Sequence, residues 1–142
     1  MLLIDVNVFV YAHRQDAEDH SKYKAWLDRV VVADVAFGLS ELVLSGFVRI
    51  VTHPSIYRDP TPLATALAFV NGIRDRDNCV LVQPGPRHWD IFCRLLLGTR
   101  GRGNLVPDAY LAALAIESGS EWITTDGDYA RFPGLNYRHP LH

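Results

Sequence analysis

The chain has 142 residues, 49% of them hydrophobic, with 16 acidic against 14 basic side chains and a formal net charge of -2. A chain of that size closes one core and buries roughly 68 to 70% of the surface its unfolded form exposes, so a single domain over 1–142 is expected. The charge balance excludes a broad basic field for nucleic acid or an anionic membrane, no apolar run reaches the roughly 18 to 20 residues of a membrane span, and Cys79 and Cys93 make neither a disulfide framework nor a zinc-ligand spacing. A soluble, cytoplasmic protein fits these limits.

The run LLIDV at residues 2–6 is apolar apart from Asp5 and has strand length, as in a strand covered on both faces of a parallel sheet. Beyond it, Asn7 is placed in a turn where it can cap the next helix and orient the Asp5 carboxylate. Residues 19–32 have helical spacing, with Tyr23, Trp26, Leu27 and Val30 on one face. VADVAFGL (32–39) is short and β-branched and reads as a second strand.

SELVLSGFVRIVTHP (40–54) opens on a capping candidate, Ser40, and runs as a helix until Pro54. PTPLATALAFVNGIRDR (60–76) is a further helix, CVLVQP (79–84) a third strand, and residues 87–98 another helix. After the glycine-rich TRGRGN (99–104), VPDAYLAALAIESG is a helix with Pro107 at its first position and Gly119 past its end. EWITTD (121–126) is a fourth strand and LNYRHP (135–140) a candidate fifth at the edge.

Strands alternating with helices imply right-handed βαβ units: a three-layer α/β/α domain around a mostly parallel sheet of four to five strands. Ligands of such sheets bind beyond the carboxyl ends of the strands. Four acids are expected there. Asp5 and Asp126 end strands, Glu41 is in the first turn of a helix, and Asp108 is in the first turn of another.

Carboxylates gathered in one crevice repel, raise each other's pKa and cost stability, and a divalent cation removes that cost. Oxygen ligands in this number suit Mg2+ or Mn2+, which keep several waters and bind through a few carboxylates plus substrate phosphate. Singly, each acid has a simpler use: Asp108 and Glu41 complement a helix dipole, and Asp126 before Gly127 opens a turn. Asp5, inside an apolar run, has none. Arg100 and Arg102 in the glycine-rich loop, with Arg131, are candidates for holding substrate phosphates.

LLIDVNVFVYAH, LSELVLSGFVRIVTHP, NLVPDAYLAALAIESG and ITTDGDYARFPGL resemble, in order and spacing, the four acidic motifs of PIN-domain ribonucleases, and more narrowly the VapC-type toxins of bacterial toxin–antitoxin modules. That resemblance implies an endoribonuclease using an ion-activated water, with products bearing a 5′-phosphate and a 3′-hydroxyl. It implies an acidic cluster of Asp5, Glu41, Asp108 and Asp126. Asp5 and Asp108 would be direct metal ligands, with Glu41 and Asp126 acting through water or at a second ion. Asn7 matches the small polar residue after the first acid, and Thr124 or Thr125 the hydroxyl before the last. Asp128 competes with Asp126 for the fourth place. A VapB-type antitoxin, a structured RNA with single-stranded loops and a second copy of the chain are the partners it implies, with an exposed apolar groove near the early helices.

Two other classes share an acidic α/β pocket. A phosphoacceptor module of the receiver type needs a lysine near its last strands, and no lysine follows Lys24. A non-catalytic module would use the same carboxylates only to anchor an ion.

Overall fold

The short apolar runs form strands, and every pairing between them is parallel. A computed structural model describes all residues from Met1 to His142. Its five-stranded sheet has the order β3-β2-β1-β4-β5, with β1 (Leu2–Ile4) in the middle. On one side lie β2 (Phe37–Leu39) and β3 (Cys79–Leu81); on the other lie β4 (Glu121–Ile123) and β5 (Tyr137–Arg138). Leu3, Ile4, Phe37, Leu39, Trp122 and Ile123 are all buried, which explains runs that are continuously apolar rather than alternating: both faces of the sheet are covered.

Six helices provide the cover. α1 (Val6–His13) packs on α2 (His20–Val32) and α3 (Glu41–Val51), and α3 packs on α4 (Leu63–Arg74); separately, α5 (His88–Thr99) packs on α6 (Leu105–Ser118). The chain steps outward from β1 through β2 to β3, then crosses back to β4 on the far side of β1. Right-handed crossovers therefore put α1 to α4 on one face and α5 and α6 on the other, giving the expected three layers. Because the direction of stepping reverses between β1 and β4, their carboxyl ends form the switch point at which a crevice opens.

Several boundaries differ from the sequence expectation, the third and fourth strands ending three residues early at Leu81 and Ile123, and three of the differences have a local reason. The helix after β1 starts at Val6, and its N-cap is Asp5, whose Oδ1 accepts from the Val6 N–H at 2.7 Å. Asn7, expected as a cap, therefore lies in the first turn of α1. The second strand is limited to Phe37–Leu39, because the Asn78 side-chain amide donates to the carbonyls of Ala33 and Val35 and holds that segment out of the ladder. α6 begins at Leu105, so Pro107 is its third residue, still within the turn whose N–H groups have no intrahelical partner. Its end is as expected, with Gly119 in the left-handed region at φ 65°. The Ser40 N-cap position is also as expected, although its hydroxyl makes no capping bond.

Gly38 is required by close approach. A Cβ at this position would lie 3.0 Å from Val82 Cγ2, 3.2 Å from the Leu2 carbonyl oxygen and 3.2 Å from Leu3 Cδ1. One of those three is backbone of the central strand and cannot give way without moving β1. Gly38→Ala is expected to lower stability by about 1–3 kcal/mol, the usual cost of overpacking a core. Urea denaturation checks it, and a midpoint equal to that of the unmodified chain would show that β1 and β2 are not so tightly apposed.

Candidate active site

Asp5 directly follows the central strand, and its backbone N–H continues the ladder to the Ile123 carbonyl at 2.9 Å. It is only 4% exposed and takes part in none of the chain's salt bridges. Two neutral donors hold the carboxylate: the Val6 N–H on Oδ1, and the Thr124 hydroxyl on Oδ2 at 2.7 Å. Thr124 is itself fixed by accepting from the Asp126 N–H at 3.0 Å. Burial raises the Asp5 pKa from 3.8 to about 6 against the pull of those two bonds, and the charges of Asp108 and Asp126 push it the same way.

Asp108 enters from the first turn of α6, where the helix dipole favours a negative charge. Its Oδ1 accepts from the Tyr129 hydroxyl at 3.3 Å. Burial pushes its pKa upward and the carboxylates of Asp126 and Asp128 add to this, while the Tyr129 bond opposes them. Tyr129 is pushed far above the usual phenol range, by burial first and then by Asp5 and Asp108, so it stays protonated and donating. Asp126 follows β4 and caps a short 3-10 turn (Gly127–Arg131), its Oδ1 accepting from the Asp128 N–H at 2.8 Å.

These three carboxylates line one crevice of about 380 Å³, together with Asn7, Ser45, Arg49 and Tyr129 and with apolar walls from Val6, Leu42, Val43, Ile50, Pro107 and Leu111. Glu41, expected with them, is not among the lining residues. Its carboxylate lies half exposed and accepts from Arg74 Nε at 3.1 Å, while the next residue, Leu42, faces the crevice. Asp128 is exposed and pairs with Arg131 at 3.7 Å, so of the two acids in TTDGD it is Asp126 that faces inward. Of the two threonines, Thr124 reaches Asp5, whereas Thr125 lines a separate hollow with Tyr11, Tyr23 and His139. Arg100 and Arg102 are exposed, outside the crevice lining, as is the paired Arg131.

Tyr129, Ser45 and Arg49 were not singled out from the sequence. Tyr129 has an aromatic neighbourhood, with Trp122 and Phe132, that reads as core, and it is core as well as site. For the other two a signal existed: Leu42, Ser45, Gly46 and Arg49 fall at i, i+3, i+4 and i+7 of one helix, a single stripe.

The donor set fits a hard divalent cation. It offers three carboxylates with lone pairs left over after their hydrogen bonds, and their negative charge exceeds that of the one arginine in the crevice. No three acidic, imidazole or thiol side chains close around a single point. An ion that keeps most of its own waters is matched to such an open arrangement. A concavity of about 200 Å³ at the amino ends of the strands, lined by Leu2, Trp26, Val30 and Phe37, is mostly apolar and carries no acid.

The PIN domain family model matches residues 2–135. Among curated relatives, the VapC ribonuclease Mb2897 of Mycobacterium bovis is 40% identical over 141 residues, covering 99% of this chain and 96% of the relative. Ribonuclease VapC25 of Mycobacterium tuberculosis is 37% identical over 140 residues, covering 99% of both chains. Among solved structures, VapBC2 of Rickettsia felis bound to a promoter DNA fragment aligns with a TM-score of 0.71 at 16% identity, covering 97% of each chain. VapC20 of Mycobacterium tuberculosis, described as a sarcin–ricin loop cleaving toxin, aligns with a TM-score of 0.65 at 16% identity, covering 96% of this chain and 99% of that one.

The buried charge has a consequence for stability. The folded-state pKa of Asp5 is the higher one, so its contribution to stability is complete below about pH 3.8 and is lost as pH rises through about 6. At about 1.4 kcal/mol per pH unit, the loss is at most about 3 kcal/mol. Asn at this position keeps the cap on Val6 without the charge. With chelator present, Asp5→Asn is expected to be more stable than the unmodified chain at neutral pH, by up to that amount, with the gap closing below about pH 4. Thermal denaturation at the two pH values checks this; a less stable variant at neutral pH would contradict it.

Proposed function

The chain belongs to the PIN-domain family, and on that premise we propose that it is the toxin of a bacterial type II toxin–antitoxin module, an endoribonuclease that hydrolyses RNA phosphodiester bonds with Mg2+ or Mn2+. The observation that carries the site assignment is the convergence of Asp5, Asp108 and Asp126 on one crevice at the switch point, with two pKa values raised there and no basic side chain bonded to any of the three. Full-length identity of 40% to a VapC ribonuclease supports the activity.

In this proposal Asp5 and Asp108 hold the ion directly and Asp126 acts through water or at a second ion. Thr124 and the Val6 N–H keep Asp5 in one rotamer, and Tyr129 does the same for Asp108. When bound, the cation supplies activation of an attacking water and neutralisation of the charge that develops on the phosphodiester. Glu41 is assigned an outer role: to join the site it has to leave an exposed ion pair, a loss of about 1 kcal/mol or less. The apolar walls shed water from the crevice as a substrate enters, which strengthens the electrostatics inside.

The substrate class we assign is a structured RNA with an accessible single-stranded segment, because the narrow major groove of an A-form duplex hides its base edges. A VapB-type antitoxin and a second copy of the chain are the protein partners. The VapBC complexes among the structural neighbours are consistent with the former.

Purified protein is expected to cleave RNA with Mg2+ or Mn2+ and to stop when EDTA is added. Asp108→Asn is expected to slow cleavage by about 100-fold or more, since it removes both a ligand and a charge. Gel assays on a pool of cellular RNA check this. Cleavage that survives EDTA, or proceeds at full rate in the variant, would refute the assignment.

A further inference from the structure

The acidic crevice poses a problem for the substrate that the proposed function brings to it. RNA is a polyanion, the chain's net charge is -2, and three of the crevice's four ionic side chains are carboxylates. A cation neutralises the charge at the scissile phosphate, and the neighbouring phosphates need partners of their own.

Half of the chain's twelve arginines are committed elsewhere. Arg14 pairs with Asp16, Arg74 with Glu41, Arg131 with Asp128 and Arg138 with Glu121, while Arg76 and Arg87 donate to the carbonyls of Val31 and Glu117. Among the rest, only Arg49 lines the crevice. It is exposed, it has no ion-pair or hydrogen-bond partner, and it stands one helical turn beyond Ser45, also exposed, on the same stripe of α3. This stripe carries an unpaired guanidinium and a free hydroxyl to the crevice, while the other faces of the helix bury Val43, Leu44, Phe47 and Val51. Gly46 lies between them, so no bulk obstructs the approach of a strand; even a methyl there would come only within 3.7 Å of Val6 Cγ2.

We propose that Arg49, assisted by the Ser45 hydroxyl, holds a backbone phosphate of the RNA next to the scissile one and so sets the register of the strand across the three carboxylates. The proposal rests on the ribonuclease reading and adds to it a specific anchoring side chain. Arginine suits the role because its planar fork presents two parallel donors to one phosphate, which lysine cannot do.

The test uses the full chain and a fluorescein-labelled RNA hairpin with a single-stranded loop, titrated by anisotropy at several salt concentrations with a fixed concentration of Ca2+ as the cation, over a time in which a gel shows the hairpin intact. Arg49→Ala is expected to weaken binding about tenfold and to reduce the slope of log affinity against log salt by about 1, the signature of one lost phosphate contact. Arg49→Lys keeps the charge and is expected to retain most of the slope with only part of the affinity. Arg94→Ala, which removes an exposed charge outside the crevice, is expected to bind as the unmodified chain does. Circular dichroism of each variant is expected to be unchanged. Equal affinity and slope for Arg49→Ala, or an equal loss for Arg94→Ala, would overturn the assignment of Arg49 while leaving the nuclease reading intact. Failure of the unmodified chain both to bind the hairpin and to cleave RNA with Mn2+ would overturn the two together.

Discussion

A carboxylate at the end of the central strand, 4% exposed and without a cationic partner from the protein, is the constraint around which this structure is arranged. An isolated buried charge is costly, and hydrogen bonds from neutral donors recover only part of that cost. Here the Val6 N–H and the Thr124 hydroxyl both bond to Asp5, yet its pKa still rises to about 6. The fold thus holds the side chain rigidly in a place where it destabilises the metal-free protein. A residual penalty of that kind is one that a bound cation would relieve, as the proposed function requires.

The rest of the architecture serves that position. Placing β1 at the centre and reversing the stepping direction at β4 opens the crevice directly over Asp5, and the same reversal brings residues from the far end of the chain, Thr124 and Asp126, beside it. α6 adds Asp108 from a third direction, and the buried Tyr129 hydroxyl links that helix to the turn after β4. The helix dipoles act in the same sense at Asp5, which caps α1, and at Asp108, in the first turn of α6. The Thr124–Asp5 bond joins residues 119 positions apart, so the site is formed only when the domain is complete.

Much of this was legible in the residues. Parallel-sheet strands advertise themselves by continuous apolar runs, which is why the strands and the three-layer arrangement followed from LLI, FGL, CVL and EWI, and why an acid inside the first run stood out. What the residues did not reveal was orientation. Glu41 has the correct neighbourhood and position in its helix, but whether it or Leu42 turns toward the crevice depends on the rotation of α3 and on Arg74, contributed by a helix that sequence reading cannot dock. The two threonines of ITTD are adjacent and so project to opposite sides of an extended chain; only the register with β1 decides that Thr124 meets Asp5. The start of α1 was obscured for the opposite reason: VFVYA is apolar nearly all round, so helical and strand periodicity cannot be distinguished there.

The division of labour in the crevice is therefore one of charge sign. Three aspartates and one unpaired arginine line the same crevice, the first suited to a divalent ion and the second to a phosphate. Calorimetric titration of Mn2+ into the metal-free protein tests the role of the aspartates most directly. Saturable binding is expected near neutral pH, weakening as the pH falls through about 6 while Asp5 takes up its proton, and lost in both Asp5→Asn and Asp108→Asn. Binding of Mn2+ that is unaltered by either substitution would contradict that role.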